Sequence, residues 1–102
     1  MPSPTRLSPD DCALLVVDVQ ERLVPAVSGG LKLVQSTAFL ARWARLAGVP
    51  VLATEQYPKG LGPTVAAVAE HLSQSAESKT RFSAATPAII KQLHRDARRT
   101  VL

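Results

Sequence analysis

The sequence has few aromatic residues, a single cysteine and no long apolar run. Only four of its 102 residues are Trp, Tyr or Phe, so Leu, Val and Ala must build the core. The lone Cys12 excludes an internal disulfide and is typical of a reducing, cytoplasmic compartment. No run approaches the roughly 20 apolar residues that cross a bilayer, and residues 1–6 lack the apolar segment of a secretory signal. We therefore expect a cytoplasmic protein with no membrane partner.

The charge is basic and unevenly distributed. Twelve Lys and Arg residues against eight Asp and Glu give a formal net charge of +4. Four of the basic residues and one acid lie within residues 91–102. Such a patch is one signature of nucleic-acid binding, but cations also stabilise the last turn of a helix. Because no aromatic residues or binding motif accompany the patch, we favour the helix interpretation and expect no nucleic-acid partner.

A buried strand that ends on a carboxylate is the strongest local signal in the chain. Residues 13–17 (ALLVV) are five consecutive aliphatic residues, and Asp18 follows them directly. A run without alternation predicts a strand that is buried on both faces, as in a parallel sheet. Asp18 then lies at the carboxyl end of the strand, where open α/β sheets place their ligand crevices.

A helix and a second buried strand are predicted next. Residues 31–47 have apolar side chains at three- and four-residue spacing, and Gly48 stands at the position of a C-terminal cap. Residues 49–54 (VPVLAT) then predict another buried strand. A strand, a helix and a strand in this order form a βαβ unit, in which the two strands are parallel. The predicted fold class is therefore α/β with a parallel sheet.

Shorter elements are predicted in the remainder of the chain. Turn residues, caps and apolar spacing predict four elements. They are a loop over 55–63, a short helix over 63–74, an edge strand around Lys79 and a helix that starts at the Thr86-Pro87 cap. Residues 99–102 begin a further aliphatic strand. On this arrangement Lys79 can face Asp18, so the two residues suggest a site that combines an acid with a lysine.

Two classes of cofactor site lack their sequence signatures. Residues 19–22 (VQER) stand where a dinucleotide-binding protein has its G-x-G-x-x-G turn. The two histidines, His71 and His94, do not have the spacing of metal ligands. We therefore expect neither a bound cofactor nor a metal ion.

Three motifs in this order resemble the isochorismatase-like cysteine hydrolases. They are ALLVVDVQ at 13–20, GVPVLAT at 48–54 and KTRFSA at 79–84. Each is weak alone, but the resemblance covers residues 7–102, and the loop over 55–64 is similar to a branch whose substrates are poorly assigned. The resemblance implies a Rossmann-like three-layer sandwich and hydrolysis of a small amide, ester or vinyl ether.

The resemblance also implies an Asp-Lys-Cys triad. Asp18 matches the base that would take the thiol proton, and Lys79 matches the lysine that would favour the thiolate. The substrate-binding residues that it implies are Gln20, Glu55, Gln56 and Phe82. The family's cysteine follows the strand that begins at Thr100, beyond Leu102. Cys12 does not replace it, because it precedes the first strand and lies at the opposite edge of the sheet from Asp18.

The chain is expected to be the first part of one domain, because it ends just as a core strand begins. Residues 1–12 would form an extension, and 13–102 the N-terminal part of a hydrolase domain that is cut before its nucleophile strand is complete. Two functions stay open. One is a small-molecule hydrolase, inactive as 102 residues alone and homo-oligomeric at full length; the other is a non-catalytic fragment or pseudoenzyme that serves as a binding or oligomerisation module.

Overall fold

Four parallel strands form the centre of the fold. The structure, a computed structural model, describes residues 8–81 and 83–102. Its strands are β1 (Cys12–Val17), β2 (Val51–Gln56), β3 (Glu77–Lys79) and β4 (Thr100–Val101). They lie in the order β3-β2-β1-β4, and every pairing is parallel. This confirms the predicted α/β fold class with a parallel sheet, in which β1 lies between β2 and β4.

The sheet core shows why the aliphatic runs do not alternate with polar residues. Leu14 pairs with Val51 and Val17 with Thr54, so β1 and β2 are in register along most of their length. Val51 and Leu52 are consecutive, point to opposite faces of the sheet and are 0% and 1% exposed. Both faces of the central strands are therefore covered, as the sequence predicted.

Among the described residues, four α-helices connect and flank the strands. They are α1 (Gly30–Leu46), α2 (Pro58–Leu61), α3 (Ala66–Ala69) and α4 (Pro87–Arg95). Each end of α1 is one residue from the predicted boundary, and Gly48 adopts the positive φ of a C-terminal cap. Within the described residues, no helix is long and apolar enough to cross a membrane.

The prediction of one helix over 63–74 is wrong. Only α3 forms there, and Thr64 instead makes an isolated antiparallel bridge with Gln20. The backbone N–H of Thr64 donates to the Glu55 carboxylate at 2.7 Å, which holds this residue in an extended arrangement and delays the start of the helix. The loop predicted over 55–63 in turn contains the single turn α2.

The start of α4 agrees with its sequence signal and allows a direct test. Thr86 is the N-cap, and its Oγ1 accepts a hydrogen bond from the backbone N–H of Ile89 at 3.2 Å. Thr86→Ala removes that acceptor and is expected to lower the free energy of unfolding by about 1 kcal/mol, as measured by urea denaturation. Thr86→Ser keeps the acceptor and should restore most of the loss. Equal destabilisation by both substitutions would show that the cap contributes nothing.

Candidate active site

Asp18 and Lys79 meet at the carboxyl edge of the sheet. Lys79 ends β3, Asp18 follows β1, and β2 lies between these two strands. Across this gap the Lys79 Nζ donates to the Asp18 Oδ2 at 2.9 Å, although the residues are 61 positions apart in sequence. The Lys79 side chain is 2% exposed and that of Asp18 is 20% exposed. The ammonium is therefore withdrawn from water, while the Asp18 side chain stays partly accessible.

The Asp18 carboxylate is oriented by the backbone and by a buried hydroxyl. Asp18 has a φ of 57°, a left-handed conformation that Asp tolerates better than most residues. Its backbone N–H donates to the Thr54 carbonyl at 3.2 Å. The Thr54 hydroxyl, which is completely buried, donates to Oδ1 at 2.9 Å. Each carboxylate oxygen thus has its own donor, and the carboxylate plane is fixed.

The Lys79 ammonium has further acceptors besides the carboxylate. Its Nζ donates to the Gln56 Oε1 at 2.8 Å and to the backbone carbonyl of Arg81 at 3.0 Å. Gln56 is the last residue of β2, and Arg81 lies two residues after β3. The Asp18 carboxylate and these neutral oxygens stabilise the buried cation, as expected for a charge that is withdrawn from water.

Gln20, which the resemblance places among the substrate-binding residues, is enclosed by the protein. It is 0% exposed. Its Oε1 accepts from the Gln56 N–H at 2.7 Å, and its Nε2 donates to the carbonyls of Gln56 and Gly62 at 3.0 and 2.8 Å. Gln20 therefore braces the loop after β2 from inside the protein.

The other expected substrate residues also make contacts within the protein. The Glu55 Oε2 accepts from the N–H and the hydroxyl of Thr64 at 2.7 and 2.9 Å, which closes the loop over 55–64. The Gln56 Nε2 donates to the Thr80 carbonyl at 3.1 Å. Phe82 lies outside the described residues. The substrate-binding and catalytic roles of all these residues stay predictions.

A cleft at β3 borders Lys79, and sequence reasoning did not identify several residues that line it. Tyr57, Pro58 and Lys59 from the loop after β2 form one wall, and Thr80 and other residues after β3 contribute to the other. The Tyr57 N–H donates to the Lys79 carbonyl at 3.0 Å, which ties the loop to β3. The sequence signal nearest to this contact was the Tyr-Pro pair in the loop that follows the second predicted strand.

Cys12 lies far from the Asp18–Lys79 pair. It is the first residue of β1 and is 3% exposed. Six residues of strand at about 3.3 Å each separate it from Asp18, or roughly 20 Å. Among residues 8–81 and 83–102, no group of three or more His, Cys, Asp or Glu side chains is placed to hold a metal ion.

Comparison with known sequences assigns most of the chain to one family. The model of the Isochorismatase domain matches residues 12–102. Isochorismatase domain-containing protein 2A of Mus musculus is 40% identical over 88 residues, which are 86% of this chain and 42% of that protein. Isochorismatase domain-containing protein 2 of Pongo abelii is 42% identical over 93 residues, 90% of this chain and 44% of that protein.

Solved structures show the same fold. The MAR1 ribonuclease from Caenorhabditis elegans aligns with a TM-score of 0.85 and 32% identity, over 95% of this chain and 50% of that one. YcaC from Pseudomonas aeruginosa aligns with a TM-score of 0.78 at 22% identity, over 99% of this chain and 53% of that one, and shows the fold alone. This chain spans about half the length of the relatives that it matches. Because the family model matches residues 12–102 and the sheet is parallel, the chain belongs to the isochorismatase domain family.

Proposed function

We propose that this chain supplies the acid and the lysine of a small-molecule hydrolase site. The observation that carries the proposal is the 2.9 Å contact between Lys79 Nζ and Asp18 Oδ2 at the carboxyl edge of a parallel sheet. Ligand crevices of open α/β sheets lie at this edge. Asp18 would act as the base, and Lys79 would stabilise the negative charge that develops as a thiol loses its proton.

The proposed reaction is a two-step acyl transfer to water. Asp18 takes the proton of a cysteine thiol, and the sulfur attacks the carbonyl carbon of an amide or ester. The bond to the leaving amine or alcohol breaks, and the leaving group takes the proton that Asp18 holds. Water then attacks the acyl thioester, which releases the acid and restores the thiol. In this proposal the thiol comes from the part of the family fold that the chain does not match.

The partial exposure of Asp18 supports this assignment of roles. A base must reach the proton that it removes, and 20% of the Asp18 side chain is exposed. Lys79 is almost fully enclosed, so its charge acts through a medium less polarisable than water, where electrostatic stabilisation is stronger. An acid and a lysine with these two environments are suited to proton removal and charge stabilisation, respectively.

A non-catalytic role is the principal alternative. A buried ion pair can be purely structural, and the same contact would then hold β1 and β3 together in a binding or oligomerisation module. RNA is a further candidate substrate, because solved neighbours from Caenorhabditis elegans and Leishmania major, 32% and 34% identical to this chain, are named as a MAR1 ribonuclease and a putative one. Both alternatives can be included in one activity experiment.

The test uses this chain fused to the half of the Caenorhabditis elegans protein that it does not match. The fusion is assayed on small amides, esters, vinyl ethers and a short RNA. Asp18→Asn and Lys79→Met are each expected to lower kcat/KM on one small-molecule class by about 10³-fold or more, because the groups of a triad act as a unit.

Matched substitutions outside the pair serve as controls. Asp96→Asn and Lys91→Met make the same chemical changes on or next to α4, away from Asp18, and should leave kcat/KM within about twofold. Turnover that survives both Asp18→Asn and Lys79→Met would refute the proposed roles. Turnover of RNA alone would favour the ribonuclease alternative, and binding without turnover would favour the non-catalytic module.

A further inference from the structure

We infer that Gln56 is a positioning residue that holds the Lys79 ammonium against Asp18, and that Gln20 fixes Gln56 for this task. The inference rests on the proposed function for its catalytic meaning, because it concerns the same lysine. The juxtaposition itself is independent of catalysis. It consists of a neutral amide oxygen 2.8 Å from a buried ammonium that is also 2.9 Å from a carboxylate oxygen.

Gln56 is restrained at both ends, which suits it to a positioning role. At the tip of its side chain, Nε2 donates to the Thr80 carbonyl at 3.1 Å, so the amide has a defined orientation with Oε1 directed to Lys79. At its main chain, both the N–H and the carbonyl bond to the buried side chain of Gln20. A side chain that is fixed in this way can present an acceptor with little loss of rotamer entropy.

The neutral charge of Gln56 matters as much as its position. Lys79 pairs with the Asp18 carboxylate, and the two charges cancel. A carboxylate at position 56 would add a second negative charge beside the same ammonium, and the lysine would have less capacity to stabilise a developing anion. A glutamine supplies the acceptor geometry without this charge. The residue therefore positions Lys79 and leaves the lysine's charge available to the reaction.

The test measures how fast the Nζ protons of Lys79 exchange with water. The chain has four lysines, and only a buried, hydrogen-bonded ammonium is expected to give a persistent ¹⁵N–¹H signal. Gln56→Met removes the acceptor at similar length, and Gln56→Asn retains an amide that is one methylene too short to reach Nζ. Each is expected to accelerate Lys79 Nζ exchange at least tenfold relative to the backbone amide of Leu14 in the same sample. If Gln56→Met does not fold, Gln56→Asn decides the question.

Two comparisons separate positioning from a general loosening of the protein. Gln56→Glu restores an acceptor of the correct length and should return the Nζ exchange rate to within about threefold of the original. Gln92→Met removes the side-chain hydrogen bonds from α4 to both carboxylate oxygens of Asp96, and it should leave Lys79 unaffected. Gln20→Met keeps glutamine at position 56 but removes the side chain that fixes it, so it should also accelerate Nζ exchange.

The inference is overturned if both Gln56→Met and Gln56→Asn leave Nζ exchange unchanged, or if Gln92→Met accelerates it equally. Because the readout needs no substrate and no turnover, its failure is distinguishable from failure of the hydrolase proposal. Loss of Nζ protection together with an inactive fusion would retain the positioning role and reject the activity. Intact Nζ protection in the Gln56 variants together with an active fusion would reject the positioning role and retain the activity.

Discussion

Asp18→Asn is expected to lower the free energy of unfolding by about 3–5 kcal/mol, because it removes the carboxylate that balances the buried ammonium of Lys79. Lys79 is 2% exposed, so the protein rather than water must balance its charge. Asn is nearly isosteric with Asp and also tolerates the positive φ at this position, so the loss reports charge rather than shape or backbone strain. Urea denaturation followed by circular dichroism measures the change.

A second substitution tests that explanation. Lys79→Met in the Asp18→Asn background removes the uncompensated charge and should recover a large part of the stability, since a buried ion pair can often be replaced by apolar groups. Asp10→Asn, at an exposed acid before β1, should change the stability by no more than about 0.5 kcal/mol. Additive losses in the double variant would mean that Asp18 and Lys79 do not stabilise each other.

The position of the pair was predictable because it depends on strong, local signals. The aliphatic runs before Asp18 and around Val51 favour buried parallel strands, and parallel strands bring their carboxyl ends to the same edge. The strand signal around Lys79 is weaker, but the order of the three motifs predicts that Lys79 lies at the same edge. The structure brings the two side chains into direct contact.

The loop over 55–64 was not predictable in the same way, because contacts distant in sequence determine it. Thr64 has ordinary propensities for a helix start, yet the Glu55 carboxylate holds it in an extended bridge with Gln20. No local pattern distinguishes a glutamine that lines a crevice from one that braces a loop. The hydrogen-bond partners of the buried Gln20 side chain lie more than thirty positions away, so no local pattern could predict them.

The 102-residue chain alone is expected to show no measurable hydrolysis, whereas the fusion that completes the family fold should turn over at least one small-molecule class. The physical reason is the position of the only thiol. Cys12 is 3% exposed and lies at the amino end of β1, roughly 20 Å from Asp18, so the base cannot reach its proton. The difference in rate should exceed about 10³-fold, the usual effect of removing a nucleophile.

Cys12→Ala distinguishes this explanation from loss of activity through poor folding. In the fusion it should leave kcat/KM within about twofold, because Cys12 packs in the core and takes no part in the proposed chemistry. Blocking the fusion with iodoacetamide should abolish turnover equally with and without Cys12, since the reactive thiolate would lie elsewhere. Turnover by the 102-residue chain that Cys12→Ala abolishes would show that this cysteine is the nucleophile and that β1 does not hold it away from Asp18.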